Sequence, residues 1–478
     1  MSISIHSPSG APEGRRFGAL RDPRAFVQVF VGVFFRDLES FFPNCRVEPL
    51  DDDAPGGASR RPRPGGGLDF RLVEELSDGK TRGVAVSLFG SWHRIVPEGP
   101  MGLGDEDVRL IRAMGAVLDL NYQILFRRSG MSILHLLRGM PEDHYVAARL
   151  EPSAYAPGSA GPSRVAEAVL TLRTMALATY ENRRVTTGVL ILGPDPAAGP
   201  SPDGALGFGV ELTSLKSLHR LCDGRRTVML VDRDGRLAGV VDVRDWVERE
   251  APGAGEPDVP SPRIYRSHAL ATRDGGRVCL VLSPHQEIKV FSGGAQTFAF
   301  AHGRWRVLDP ASKFALWRDA VEDPRLARSL FQTALELAEE RQGGLLVVFP
   351  DPALVIGRVI APEDALDAHV ASGARGEALS KRSIHYLAEG RSVLEMAPSV
   401  VEALASLDGA LAVDAEGRLL AFGAILRHDL SDPRAHRDVA EGARTTAAIV
   451  ASRFGPVLKV SEDGVVSCFL DGERVWDL

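Results

Sequence analysis

Two stretches decide how this chain is read: "LVDRDGRLAGVV" (Leu230–Val241) and "AVDAEGRLLAFG" (Ala412–Gly423). They share the pattern V-D-x-[DE]-G-R-L. In each, an apolar run leads into an acidic, Gly-ending tetrapeptide and a second apolar run follows. That is the pattern of a β-hairpin, because Asp and Gly supply the turn geometry that branched residues resist. The flanking elements recur in one order. Ahead of the first hairpin, Ser163 can cap a helix running to about Tyr180. Gly188–Leu192 then reads as a buried strand, Pro194–Gly204 as a loop and Leu212–Leu221 as a helix. Thr227–Val243 holds the hairpin itself. After a loop at Ala251–Pro262 come strands at Val278–Leu282 and Ile288–Phe291.

The second hairpin has the same company. A helix is expected over Ser329–Glu340, a strand over Gly344–Val348, and helical material to Ala405. Ala410–Leu426 holds the hairpin, and strands at Val457–Val460 and Val465–Phe469 close the block. Arg266 and Arg444 each stand 17 residues before a serine, Ser283 and Ser461. Common order and spacing point to an internal repeat. The alternative is two unrelated hairpins, since D-x-D-G turns are common. The expected organisation is an α+β N-terminal domain over 1–150, a related middle repeat over 163–308 and a C-terminal domain over 327–478. The fold class expected is α/β (α+β), with mixed β-sheets flanked by helices.

The N-terminal block shows no chemical motif. A helical pattern covers Pro23–Phe42, followed by a polar loop at Asp51–Gly67. Strand-like runs at Leu68–Leu76 and Gly83–Phe89 flank a hairpin signal, Ser77-Asp78-Gly79-Lys80. Asp105 can cap a helix with apolar Val108, Ile111, Met114 and Leu118, a spacing that Gly115 weakens.

Composition bounds the function. The 478 residues are 44% hydrophobic and 25% charged, with net charge -7, an ordinary globular balance. No nucleic-acid partner is expected, because phosphate neutralisation needs clustered cations. The one compact basic run, Arg60-Arg61-Pro62-Arg63, sits among Gly and Pro and reads as a solvated loop. Cys45, Cys222, Cys279 and Cys468 form no C-x-x-C pair, so a reducing cytoplasm is the expected location. The apolar run Phe26–Phe35 is shorter than the ~20 residues that span a bilayer, so no membrane association is expected. P-loop, H-E-x-x-H and G-x-S-x-G motifs are missing from the sequence.

The C-terminal block resembles the diadenylate cyclase domain, the catalytic part of enzymes that make cyclic di-AMP. Four segments carry the likeness: "ALELAEERQGGLLVV" (Ala334–Val348), "LDGALAVDAEGRLLAFGAIL" (Leu407–Leu426), "GARTTAA" (Gly442–Ala448) and "LKVSEDGVVSCF" (Leu458–Phe469). They match, in order, the family's opening helix and strand, its D-G-A hairpin, its G-T-R-H-R-A-A and its V-S-E-E-T-G-x-I-S strand pair. The resemblance implies that Asp408, Gly409 and Ala410 lie at a nucleotide. Asp408 would be a metal ligand or catalytic base, and Gly409 would let the backbone approach the ligand. It further implies nucleotide contacts from Arg444, Thr445, Thr446, Ser461 and Glu462. A Mg²⁺ or Mn²⁺ ion would accompany the nucleotide.

Two departures stand out. Leu407 occupies a place where many active members carry His. The R-H-R cations have become Arg444-Thr445-Thr446. Each lost donor to developing charge costs ~2.7–4 kcal/mol in a transition state, whereas ground-state binding is less dependent on them. Arg444 keeps one fork for a phosphate, or for a surface carboxylate. Glu462-Asp463-Gly464 fits an ordinary turn as well as a ligand contact. In the middle block the position of Asp408 falls on Arg226, and His268 lies two residues after Arg266. The reading is a catalytically degenerate nucleotide sensor for ATP, cyclic di-AMP or a related signal, acting through an unidentified downstream effector. The alternatives are an active diadenylate cyclase and a ligand-free scaffold. A homo-dimer or an internal pseudo-dimer of the two repeats is expected.

Overall fold

The computed structural model describes residues 27–50, 70–77, 81–98, 101–126, 138–156, 159, 162–193, 205–215, 218–366, 381–427 and 442–478. The loops read over Asp51–Gly67 and Pro194–Gly204, the run at Arg60–Arg63 and most of the Ser77–Lys80 turn lie outside them. The architecture is α+β, and the chain divides into two compact units.

One unit holds residues 1–96 and 108–166. It contains α1 (Val27–Phe41), β1 (Cys45–Pro49), β2 (Arg71–Ser77), β3 (Thr81–Leu88), β4 (Ser91–Pro97), α2 (Asp105–Phe126) and α3 (Pro141–Leu150), some crossing its boundary. The sheet order is β1-β4-β3-β2. Phe30 and Phe34 of α1 are buried, as are Val84 and Val86 of β3 and Ile111 and Met114 of α2. Gly115 has a packing reason: a Cβ there would collide with the Phe70 ring. The α2 helix begins at Asp105 itself, and the first-turn anchor is Asp107, which accepts from the Gly104 N–H at 2.8 Å.

The other unit holds residues 97–107 and 167–478. Its first lobe runs α4 (Arg164–Ala176), β5 (Thr179–Tyr180), β6 (Arg183–Arg184), β7 (Thr187–Ile191), α5 (Leu218–Leu221), β8 (Thr227–Val231), β9 (Leu237–Asp242), α6 (Val243–Glu250), α7 (Arg266–Ala271), β10 (Val278–Leu282), β11 (Ile288–Ser292), β12 (Ala295–Ala301) and β13 (Arg304–Val307). Helix α8 (Pro310–Val321) connects it to the second lobe. That lobe runs α9 (Pro324–Glu339), β14 (Gly344–Val348), α10 (Pro352–Val355), α11 (Pro398–Ala405), β15 (Ala410–Val413), β16 (Leu419–Ala424), α12 (Ala443–Ala451), β17 (Val457–Val460), β18 (Val466–Leu470) and β19 (Glu473–Asp477).

The two large sheets have matching topology. One is ordered β9-β8-β7-β10-β11-β12-β13, the other β16-β15-β14-β17-β18-β19. The pairs β7–β8 and β14–β15 are parallel and the other ladders antiparallel. Register agrees too: Val189 faces Met229 and Leu280, as Leu346 faces Leu411 and Leu458. Irregularities fall in the same places, at Leu230/Val231 and Ala412/Val413, and at Val290/Phe291 and Cys468/Phe469. The additional strand is β13.

Alternation builds two cores on the six-stranded sheet. Leu346, Val348, Leu411, Val413 and Leu458 face α8, α9 and α11, while Leu345, Val347, Ala410, Ala412 and Val457 face α10 and α12. With both faces covered, these strands are apolar without alternation. The seven-stranded sheet buries Leu190, Val228, Cys279 and Phe291 against Trp246 of α6 and Ala269 of α7.

Several expectations need correction. The helix capped by Ser163 ends at Ala176, and Thr179–Tyr180 instead pairs with Arg183–Arg184. Glu181 and Asn182 both adopt positive φ, giving the two-residue turn that suits right-twisted strands. Ser163 does cap α4, accepting from the Ala166 N–H at 3.2 Å. Leu212–Leu221 breaks into a 3₁₀ turn, Val210–Ser214, and the single-turn α5. The Thr213 and Ser214 hydroxyls bond back to the Val210 and Glu211 carbonyls, which favours the break. The stretch to Ala405 is helical only at α10, Lys381–Leu387 and α11 among the described residues. The C-terminal sheet also gains β19 beyond the strand expected to close it.

Candidate functional site

Topology fixes where chemistry can gather. Because β14 and β15 are parallel and β17 is antiparallel to β14, the starts of β14 and β15 meet the end of β17. Gly343, Asp408 and the turn Ser461–Val465 lie there, beside the first turn of α12. The Ser461 N–H donates to the Val465 carbonyl at 2.9 Å and Gly464 to Ser461 at 2.9 Å, closing that turn. Asp463 accepts from the Val465 N–H and completes it. Glu462, in the same turn, is exposed and pairs with Arg444.

Arg444 joins the parts. Its guanidinium reaches Asp408 at 3.6 Å and Glu462 at 3.5 Å. Side-chain exposure is 41% for Arg444, 90% for Asp408 and 75% for Glu462, so these pairs are solvated. Pairs of this kind contribute at most about 1 kcal/mol to stability. Arg444 also sits in the first turn of a helix, where the dipole disfavours a cation. The Gly442 cap makes no side-chain hydrogen bond. Gly343 provides room, since a Cβ there would meet the guanidinium carbon at 3.0 Å. The arrangement holds one cation between two solvent-facing carboxylates. An anion arriving at Arg444 has to displace them.

The remaining expected residues are placed differently. Thr445 is buried, and its hydroxyl accepts from Lys459 Nζ at 3.0 Å. Thr446 is half-buried, with its hydroxyl 3.5 Å from the Gly442 carbonyl. Ala410 is buried as the first residue of β15, paired with Leu345 and Ala424. Gly409 has φ +122, and a Cβ there would lie 2.6 Å from the Gly423 oxygen and 2.7 Å from the Ala424 nitrogen. The backbone it lets approach is therefore β16. Ser461 is half-buried and serves the turn through its backbone. Sequence reasoning missed Lys459. Its signal was a cation inside the otherwise apolar strand "VLKV".

The same end of the middle lobe is built otherwise. Arg226 stands at the counterpart of Asp408. Asp223 accepts from the N–H groups of Arg225, Arg226 and Thr227 at 2.7–3.0 Å, so the loop before β8 already binds its own carboxylate. Those bonds hold the Asp223 carboxyl below its ordinary range, although burial pushes the other way. His268, on the first turns of α7, is fully buried, with Nε2 2.9 Å from the Gly224 carbonyl. Its ring lies 5.3 Å from Tyr265 and 5.6 Å from Phe291. Burial lowers its pKa to about 4, only partly offset by the Gly224 bond and nearby Asp223. It is a structural residue. In the middle lobe a neutral link ties helix to loop, where the C-terminal lobe has the exposed Arg444–Asp408 pair.

Among the described residues, no group of three or more His, Cys, Asp or Glu is disposed to hold a metal. The two exposed carboxylates at this end, Asp408 and Glu462, are both engaged by Arg444. A cavity of about 260 Å³ lies between α11 and β16, lined by Ile384, Met396, Leu404 and Phe422 among others. None of the expected site residues lines it. Cys222, Cys279 and Cys468 are buried, and burial pushes the Cys222 thiol up to about 12. Among the described residues, no helix is long and apolar enough to cross a membrane.

No protein-family profile matches the chain, and no curated protein matches it. Solved structures do. One is described as a hypothetical membrane spanning protein from Bacillus cereus, at 20% identity, covering 34% of this chain and 69% of that one, with TM-score 0.24. Another is a double-mutant form of DacA from Staphylococcus aureus, at 20% identity, covering 32% of this chain and 89% of that one, with TM-score 0.19.

Proposed function

We propose that the chain carries two copies of one lobe, and that the C-terminal copy is a nucleotide-sensing module of the diadenylate cyclase type that has lost efficient cyclisation. The observation that carries this reading is the Asp408–Arg444–Glu462 cluster. Three residues from separate segments converge on one open sheet end, where they add little to stability. On binding, the phosphates of a nucleotide take the Arg444 fork, and a divalent cation takes the two carboxylates it releases. Thr445 faces inward and Thr446 carries no charge, so one cation remains where the resembling enzymes present more. That supports recognition over turnover.

Titration calorimetry with ATP and with cyclic di-AMP, each with and without Mg²⁺, tests the reading. Binding is expected for the wild type and loss of binding for Arg444→Ala. Wild-type protein that binds neither nucleotide refutes it and leaves the scaffold reading. The cyclase reading has one observation in its favour: Lys459 places an ammonium group behind Thr445. It requires cyclic di-AMP from ATP and Mg²⁺ or Mn²⁺ that disappears in Asp408→Asn.

A further inference from the structure

The end of the middle lobe that corresponds to the candidate site faces the C-terminal lobe. Along α9, Arg328 pairs with Glu256 at 3.1 Å and Gln332 donates to the Ser261 carbonyl. Glu336 accepts from the Arg263 N–H at 2.6 Å, and Glu339 accepts from the Tyr265 hydroxyl at 3.0 Å and pairs with Lys289 at 2.8 Å. Glu336, Glu339, Glu287 and Lys289 are each 13% exposed or less, so this is a desolvated charge network. Breaking one partner of a buried pair is far more disruptive than breaking a surface pair.

Two branches of the network end at the site. In the first, Glu287 of the middle lobe pairs with Arg341, just past α9. Arg341 lies against Gly464, where a Cβ would meet its Nη1 at 2.6 Å and the Ala338 carbonyl at 3.1 Å. Gly464 belongs to the turn that presents Glu462. In the second, Arg263 pairs with Glu402 at 2.6 Å and with Glu336 at 3.4 Å. Glu402 is on α11, whose end runs through Ser406 and Leu407 into Asp408.

We infer that the middle lobe is a strut that positions the two carboxylates flanking Arg444, with Glu287 and Arg341 setting Glu462 and Arg263 setting Asp408. This rests on the reading of that cluster as a ligand site. The middle lobe has exchanged a ligand position for a supporting one: its own loop holds Asp223, and its open end is spent on α9 and α11. The consequence is one nucleotide site per chain, tuned from the neighbouring lobe.

Amide hydrogen exchange on the full chain tests the strut without any ligand. In Glu287→Gln and Arg341→Gln, exchange at Ser461 and Gly464 should rise at least ~10-fold through local opening. In Arg263→Gln the rise should fall on Ser406 and Leu407. The Asp232–Gly235 turn, away from both branches, should stay at its wild-type rate, and Arg341→Lys should recover most of the protection. Unchanged exchange in the named segments, or an equal rise everywhere, overturns the inference. ATP titration supplies the second arm: affinity should fall roughly 10-fold in Glu287→Gln, a shift typical of coupling between sites. A loosened turn with unaltered affinity also overturns it. The same titration is run with cyclic di-AMP where ATP does not bind; wild-type protein that binds neither nucleotide refutes the ligand-site reading instead, and the exchange arm still decides whether the strut exists.

Discussion

His268 offers a quantitative test of how the middle lobe is assembled. Its Nε2 must carry the proton that is donated to the Gly224 carbonyl, leaving Nδ1 unprotonated against apolar surroundings and without a hydrogen-bond partner among the described residues. Protonation of Nδ1 would bury a charge beside the Tyr265 and Phe291 rings. Desolvation accordingly lowers the pKa from 6.5 to about 4. The unfolded chain therefore binds more protons than the folded one between those values, so stability increases with pH across that window. The contribution is fully present above pH 6.5, declines as pH falls, and levels off below about 4. At about 1.4 kcal/mol per pH unit, the whole window is worth about 3 kcal/mol. Denaturant unfolding followed by fluorescence, with Trp246 in the same core, can read it. Between neutral pH and about pH 5, wild type should lose about 2 kcal/mol more than His268→Gln, whose amide can still donate but does not titrate. Parallel pH profiles for the two proteins would refute the neutral, buried assignment.

Other outcomes follow from the same geometry. Gly409→Ala should destabilise by about 3 kcal/mol or more, because positive φ and contact with the β16 backbone act together. Gly357→Ala has positive φ but open space, and should cost only about 1 kcal/mol in the same denaturant titration. Arg444→Ala should change unfolding free energy by less than about 0.5 kcal/mol while abolishing the nucleotide-induced rise in Tm. A thiol reagent on native protein should modify Cys45 first and leave Cys222, Cys279 and Cys468 until unfolding, since those three are buried. Mass mapping of the modified cysteine reads this directly.

Much of the fold was legible locally. The Asp414–Gly417 turn closes as expected, with Asp414 accepting from the Glu416 and Arg418 N–H groups, and Asp232 does the same in the other lobe. The buried runs Gly344–Val348 and Val278–Leu282 are strands as read. Strands β12, β13 and β19 escaped the reading although their turns carried a signal. Gly293-Gly294, His302-Gly303 and Asp471-Gly472 all supply two positive φ angles in sequence. Helix ends were harder: Thr179 and Tyr180 follow the helical run directly, but the Glu181-Asn182 turn pairs them with Arg183–Arg184 as a short hairpin.

What the sequence determined by itself is most of the buried strands and the turns between them, because strand periodicity and positive-φ residues are properties of neighbours in the chain. It also named Asp408, Arg444 and Glu462 through a motif. Tertiary structure decided what each side chain does. Thr445 turns inward because Lys459 waits on the adjacent strand, and Gly409 is needed because β16 crosses within contact distance. His268 loses its charge because the distant Gly224 loop and Phe291 strand, with neighbouring Tyr265, remove its water. Arg341 acquires a role only where a glutamate from the other lobe reaches it. Those outcomes depend on which strand ends meet and how much solvent is excluded, and neither is written in any local stretch of residues.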